Sequence, residues 1–180
     1  MRTEIRISGI GGQGVVLAGL ILGKAATVFL DYNAVHTDSY GPEARGGYVR
    51  SEVIISNEKI DYHHALHVDV LALLSEKSWD EQFIGVQRDA LILYDPDLIS
   101  KKPPFGNIHE IHAQKIAEEL GNKIIMNIVM VGAITKVLKC IDEQAVRQAV
   151  LDTVPKAYQG LNIKAFEYGL KAESSELLGL

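Results

Sequence analysis

The stretch Glu4-Ile5-Arg6-Ile7-Ser8-Gly9-Ile10-Gly11-Gly12-Gln13-Gly14-Val15-Val16-Leu17 decides the fold. Glu4 to Ser8 alternates as a strand does, and the apolar run that begins at Val15 has the length and composition of a helix. Between them lies a glycine loop, so the order is strand, turn, helix. In that order backbone N–H groups and a helix N-terminus face a potential anion. Gly9 suits a tight turn, Gly11 allows close approach to a phosphate, and Gly14 allows the helix to lie on the strand. Spaced glycines also arise by chance; here the position after a strand and before a helix gives the pattern its meaning.

Working outward, Val15 to Phe29 reads as one helix with Lys24 its sole charge, and Gly19 and Gly23 give it a flat face one turn long. A helix apolar nearly all round is buried on more than one side. One side is the sheet, and the other is either more of this domain or another subunit. Asn33 to Asp38 and Tyr48 to Ile55 read as strands, and Ile60-Asp61-Tyr62 as a short further pairing strand. Val68 to Leu74 and Ala90 to Tyr94 are buried-strand runs, with a helix over Ser75 to Phe83 capped at Ser75 between them. Asn107 to Ile111 reads as an outer strand, and Ala113 to Leu120, Ile124 to Lys139, Asp142 to Leu151 and Asn162 to Ala172 as helices. The tail Glu173 to Leu180 is expected to be loosely held. Strands alternating with helices predict an α/β fold, a Rossmann-like three-layer domain around a mainly parallel sheet, spanning residues 1–180 as one unit.

Composition narrows the function. With 47% hydrophobic and 23% charged residues the chain is of ordinary globular make-up, and a net charge of −5 argues against a nucleic-acid surface. Cys140 is the single cysteine, so the chain alone forms no internal disulfide and ligates no iron–sulfur cluster; a reducing cytoplasm is the expected setting. No secretory signal is read at the N-terminus, and the longest apolar runs are too short to span a bilayer, so no membrane role is expected.

The glycine loop is a candidate phosphate or pyrophosphate site, against the reading that it is a tight junction binding nothing. A dinucleotide fold would also need an acid at the end of the second strand, for which Asp38 is the best candidate. Asp38 runs straight into Ser39-Tyr40-Gly41-Pro42-Glu43-Ala44-Arg45-Gly46-Gly47, an unusual sequel for a nicotinamide site. In that loop Glu43 and Arg45 lie two apart, Arg45 offers a planar fork for phosphate or carboxylate, and Gly46-Gly47 allow a turn or a ligand to come close. Ser39, Tyr40, Glu43, Arg45, Gly46 and Gly47 therefore join Gly9, Gly11, Gly12, Gln13 and Gly14 as candidate binding residues, the alternative being a solvated loop with a local ion pair. His63, His64 and His67 lack the partners of a metal site and read better as surface histidines. Cys140 reads as a packing residue. No nucleophile elbow, Walker loop or zinc-protease pattern is present, so no catalytic residue is assigned.

Two stretches, Ile5 to Val15 and Ser39 to Gly47, carry a resemblance. The chain resembles the gamma subunit of 2-oxoacid:ferredoxin oxidoreductases, with Val53-Ile54-Ile55-Ser56 followed by Ile60-Asp61-Tyr62, and Asn127 leading a helix with Gly132, fitting the same pattern. The likeness runs over essentially the whole chain, and its Ser39 to Gly47 loop is closest to the 2-oxoglutarate branch. The resemblance implies a complex that turns a 2-oxoacid and coenzyme A into an acyl-CoA and carbon dioxide and reduces ferredoxin. Thiamine diphosphate, with Mg, would be held by the alpha and beta partners, and the iron–sulfur clusters by beta or a small delta subunit. This chain would complete the assembly near the coenzyme A entrance, with its glycine loop and Arg45 as phosphate contacts. A stand-alone NAD-binding oxidoreductase and a purely structural assembly subunit are the competing readings. The nearly all-apolar first helix leads us to expect self-association of the isolated chain.

Overall fold

The computed structural model describes residues 1–43, 46–138 and 140–172. The elements follow in the order β1 (Arg2–Ile10), α1 (Val15–Lys24), β2 (Asn33–Tyr40), β3 (Tyr48–Ser56), β4 (Val68–Leu73), α2 (Trp79–Gln82), β5 (Val86–Tyr94) and β6 (Asn107–Glu110). Four helices close the described chain: α3 (Ala113–Glu119), α4 (Met126–Val137), α5 (Glu143–Thr153) and α6 (Gln159–Lys171). The strands form one six-stranded sheet in the order β2-β3-β1-β4-β5-β6. β1, β4, β5 and β6 pair in parallel, while β3 runs against both β1 and β2. Five strands thus share one direction, and the expectation of a mainly parallel α/β sheet holds with β3 as the opposed strand.

Strand alternation sorts the core into two sides. Ile5, Ile7, Val53, Ile55, Val70 and Ala72 face a cluster that also takes in α1 and α3 to α6. Leu71, Leu73, Ile92 and Tyr94 face the other way, where Trp79, Phe83 and Phe105 cover them from loops and the one-turn α2. The central strands are therefore apolar on both sides and read as continuous hydrophobic runs. On the loop side, β1 and β3 carry charge into the interior instead: Glu4, Arg6 and Glu52 are all buried.

Three local readings change. The helix predicted over Val15 to Phe29 is α-helical only to Lys24 and widens into a π-helical turn over Ala25–Phe29. There the Thr27 hydroxyl donates to the Gly23 carbonyl at 3.1 Å, competing for a backbone acceptor. The helix predicted from Ser75 shrinks to α2, because Ser78 takes the left-handed conformation at φ 54 and the Ser75 hydroxyl accepts from Lys77 N–H, two residues on, rather than capping a helix there. Ile60 to Tyr62 is no strand. β1, β3 and β4 already have two neighbours each, and the loop is held instead by Glu4, whose carboxylate accepts from Leu66 and His67 N–H at 2.6 and 2.7 Å. Much of the first helix is covered within the chain, since α1 packs on β2 and β3 below and on α4 and α5 beside it, while Leu20 stays exposed. Gly19 makes this possible, since a Cβ there would collide with Ser51 Oγ and lie 2.7 Å from His36 Nε2. No helix among the described residues is long and apolar enough to cross a membrane.

Candidate functional site

The glycine loop sits at the carboxyl end of β1, at the edge where an open α/β sheet receives ligands. Gly9 lies within β1 rather than in a turn. It carries no side chain because a Cβ would come 2.5 Å from Gln13 Oε1 and 2.8 Å from Val15 Cγ2. Gln13 faces inward as a clamp: its Oε1 accepts from Ile10 N–H at 2.7 Å and its Nε2 donates to the Leu74 carbonyl at 2.9 Å, tying the loop to the chain leaving β4. Gly12 and Gly14 occupy positive φ, 98° and 70°, and a Cβ on Gly12 would meet nothing within 4 Å. Gly14 N-caps α1 without any side-chain cap, and its carbonyl accepts from Asn127 Nδ2 at 3.1 Å. Among the described residues, the N–H groups of Gly12, Gly14, Val15, Val16 and Leu17 carry no hydrogen bond. The structure thus presents free backbone donors at the positive end of a helix.

The two sequence loops meet. Gly11 N–H donates to the Gly47 carbonyl at 2.9 Å, and the Gly11 backbone lies against Gly46, itself at φ 61. Gly11 therefore spends its donor on the second loop rather than on a ligand. Glu43 pairs with Lys77 at 2.8 Å, and that hydrogen bond holds its carboxyl below the usual carboxylate range. Lys77 also donates to the Gly46 carbonyl at 3.2 Å, bridging the loop to the segment before α2. Tyr40, exposed at the end of edge strand β2, separates two depressions. An apolar groove of ≈ 480 Å³ runs from Gly11 and Gly12 along Val16, Leu17 and Leu20 of α1. A more polar pocket of ≈ 330 Å³ on the loop side includes Ser39, Glu43, Tyr48 and Arg50. Ala44 and Arg45, the latter expected to supply a planar fork, lie outside the described residues.

Asp38 does not complete a dinucleotide site. β3 lies between β2 and β1, putting Asp38 about 10 Å from β1, and its carboxylate pairs with His36 Nε2 at 3.1 Å. His63 and His64 stack beside Tyr62 with ring centroids 4.3 Å apart, and no group of three or more His, Cys, Asp or Glu is placed to hold a metal among the described residues. Cys140 Sγ lies 3.7 Å from Thr3 Oγ1, a packing contact. Sequence reading missed Lys77, far along the chain from the loop it anchors, and Arg50. Their trace was there for Arg50: charges at 6, 50 and 52 interrupt strands otherwise read as apolar. It also missed Asp95, fully buried at the carboxyl end of β5, which accepts from Asp97 N–H at 2.9 Å and Gln114 N–H at 2.7 Å. Burial pushes its carboxyl up to about 6.

The family model described as pyruvate ferredoxin/flavodoxin oxidoreductase matches residues 4–172. The chain is 43% identical over 173 residues to the 2-oxoglutarate synthase subunit KorC of Methanocaldococcus jannaschii, covering 94% of this chain and 92% of that one. It is 39% identical over 177 residues to the subunit of the same name from Methanothermobacter marburgensis, covering 94% and 95%. Among solved structures, the gamma subunit of a keto/oxoacid ferredoxin oxidoreductase from Geobacter sulfurreducens superposes with a TM-score of 0.87 at 37% identity, covering 97% of this chain and 99% of that one. A 2-oxoglutarate:ferredoxin oxidoreductase from Magnetococcus marinus, with 2-oxoglutarate, coenzyme A and succinyl-CoA bound, shares the fold at a TM-score of 0.82 and 21% identity, with 95% of this chain matching 31% of that one. With its sheet, its glycine loop and nearly its whole length inside these matches, the chain belongs to the pyruvate ferredoxin/flavodoxin oxidoreductase family.

Proposed function

We propose that this chain is the gamma-type subunit of a cytoplasmic 2-oxoacid:ferredoxin oxidoreductase, of the 2-oxoglutarate branch, and that it acts within that complex rather than alone. The relatives at 43% and 39% identity, both named as 2-oxoglutarate synthase subunits, support the branch. In this reading residues 1–180 act as one domain, with thiamine diphosphate and Mg held by alpha and beta partners and the iron–sulfur clusters by beta or a small delta subunit. Those groups supply decarboxylation and electron transfer to ferredoxin. The residues here bind and orient coenzyme A for acyl capture, a contribution of proximity.

The observation that carries the reading is the set of N–H groups on Gly12, Gly14, Val15, Val16 and Leu17, unpaired among the described residues and beside the apolar groove. A phosphate meets the donors and the positive end of α1, and a neutral chain such as the pantetheine arm lies along Leu17 and Leu20. Gly9 and Gln13 act behind this surface by fixing the loop, Tyr40 and Val49 line the groove opposite α1, and Gly46 and Gly47 brace the loop at Gly11. A carboxylate at Gly11 tests this without backbone strain, because a Cβ there meets only ordinary contacts, 3.6 Å from Gly46 N. In the assembled complex Gly11→Asp is expected to raise KM for coenzyme A about tenfold while KM for the 2-oxoacid stays unchanged. Unchanged coenzyme A affinity with assembly intact on gel filtration would refute the assignment.

A further inference from the structure

On the loop side of the sheet, Arg6, Arg50 and Glu52 form a charge cluster that does not balance. Arg6 is fully engaged: it binds Glu52 Oε1 at 2.8 Å and donates to the carbonyls of Gln82 and Ile84 at 2.8 and 2.6 Å. Burial pulls its guanidinium below its ordinary value, Glu52 pulls it back up, and the positive Arg50 pushes it lower again. Arg50 reaches the same Glu52 oxygen only at 3.6 Å, and its Nε is buried without a hydrogen bond. Two guanidiniums thus share one carboxylate, and no side-chain N–H of Arg50 donates a hydrogen bond among the described residues. The Arg50 side chain is partly exposed, but its buried Nε is an orphaned donor, and such a group carries a cost that native proteins normally relieve with a partner.

Arg50 lines the ≈ 330 Å³ pocket, whose wall also carries the hydroxyl-bearing residues Ser39 and Ser78, Glu43 and Glu81. Glu43 is already neutralised by Lys77, and Glu81 makes no ion pair among the described residues, with Arg50 or otherwise. We infer that Arg50 is the recognition group of an oxyanion subsite on this side of Tyr40, taking the carboxylate or phosphate of a small molecule between its planar fork and the two serines. A guanidinium with free N–H groups matches such an oxyanion in two parallel bonds, which an ammonium cannot reproduce. The subsite borders the loop used in the coenzyme A reading but stands on Arg50 alone.

The test is an NMR titration of the full-length chain, following the Arg50 Nε–H signal and the Ser39 and Ser78 amides. Inorganic phosphate and acetate are added separately, with chloride holding ionic strength constant. Saturable movement of these signals is expected, about tenfold weaker in Arg50→Gln and severalfold weaker in Arg50→Lys. Saturation by phosphate alone assigns the group to phosphate, and by acetate alone to carboxylate. Loss of amide dispersion identifies a misfolded Arg50→Gln, in which case Arg50→Lys, with its charge kept, supplies the comparison. Movement that never saturates, or an affinity the same in the Arg50 variants as in wild type, overturns the inference. Gly11→Asp should leave these shifts in place, so failure of the coenzyme A reading is separable from failure here.

Discussion

Gly14 shows how much one missing side chain does. It holds φ 70 and faces Asn127 of α4, so a Cβ would collide with the Asn127 amide that donates to its own carbonyl. Gly14→Ala adds a left-handed penalty of about 1–2 kcal/mol to that collision, and a total loss of about 3 kcal/mol is expected by urea unfolding. In an Asn127→Ala background the collision is gone, and only the conformational part should remain; an identical cost in both backgrounds would contradict the packing account. Asp95 is the residue whose protonation should be visible in stability. Its carboxyl titrates near 6 when folded because burial disfavours the charge, above the 3.8 of an ordinary aspartate. The folded protein therefore keeps a proton that the unfolded chain releases. The stability this confers is present below about pH 4 and is lost as pH rises towards 6, on the order of 2–3 kcal/mol. Comparing unfolding of wild type and Asp95→Asn from pH 4 to 7 should show that slope in the wild type alone.

At the scale of elements, α4 and α6 come into backbone contact with each other. A Cβ on Gly132 would strike the Phe166 carbonyl and lie 2.9 Å from Gly169 Cα; one on Gly169 would strike the Val129 carbonyl. Neither glycine has positive φ, so what demands glycine here is backbone contact between two helices, not a turn. Gly132→Ala is expected to cost about 2–3 kcal/mol by overpacking. Gly160→Ala, in the same α6 but with nothing within 4 Å of the added methyl, should instead gain about 0.5–1 kcal/mol from helix propensity. Thermal melts of the pair give opposite signs if this is right. The same rule explains α1, where Gly19 lets a helix with almost no polar side sit down on β2 and β3.

At the scale of the molecule, the apolar groove along α1 stays open, with Leu20 45% and Tyr40 68% exposed beside it. The self-association expected of the isolated chain would fall on an exposed apolar patch of this kind. Leu20→Glu should leave the unfolding free energy of the isolated chain within about 0.5 kcal/mol, yet weaken self-association and co-purification with partner subunits. Sedimentation of the isolated variant and pull-down of the complex read the two effects. Much of this was legible in the chain itself. Glycines after an alternating strand announced the β1–α1 junction, and apolar runs announced β4 and β5, because periodicity and composition are local properties. The extent of short elements was not, since Ser78's left-handed backbone truncates α2 and a carboxylate on β1 holds residues 60–67 out of the sheet. By itself the sequence determined an α/β chain with a glycine turn at a helix N-terminus and a polar loop before β3. Tertiary structure alone decided that β3 would run against its neighbours and push Asp38 away from β1, that Gly11 would bond to Gly47, and that Arg50 would share Glu52 with Arg6. Those outcomes depend on which distant backbones pair and which charges are buried together, and neither is encoded in the spacing of residues along the chain.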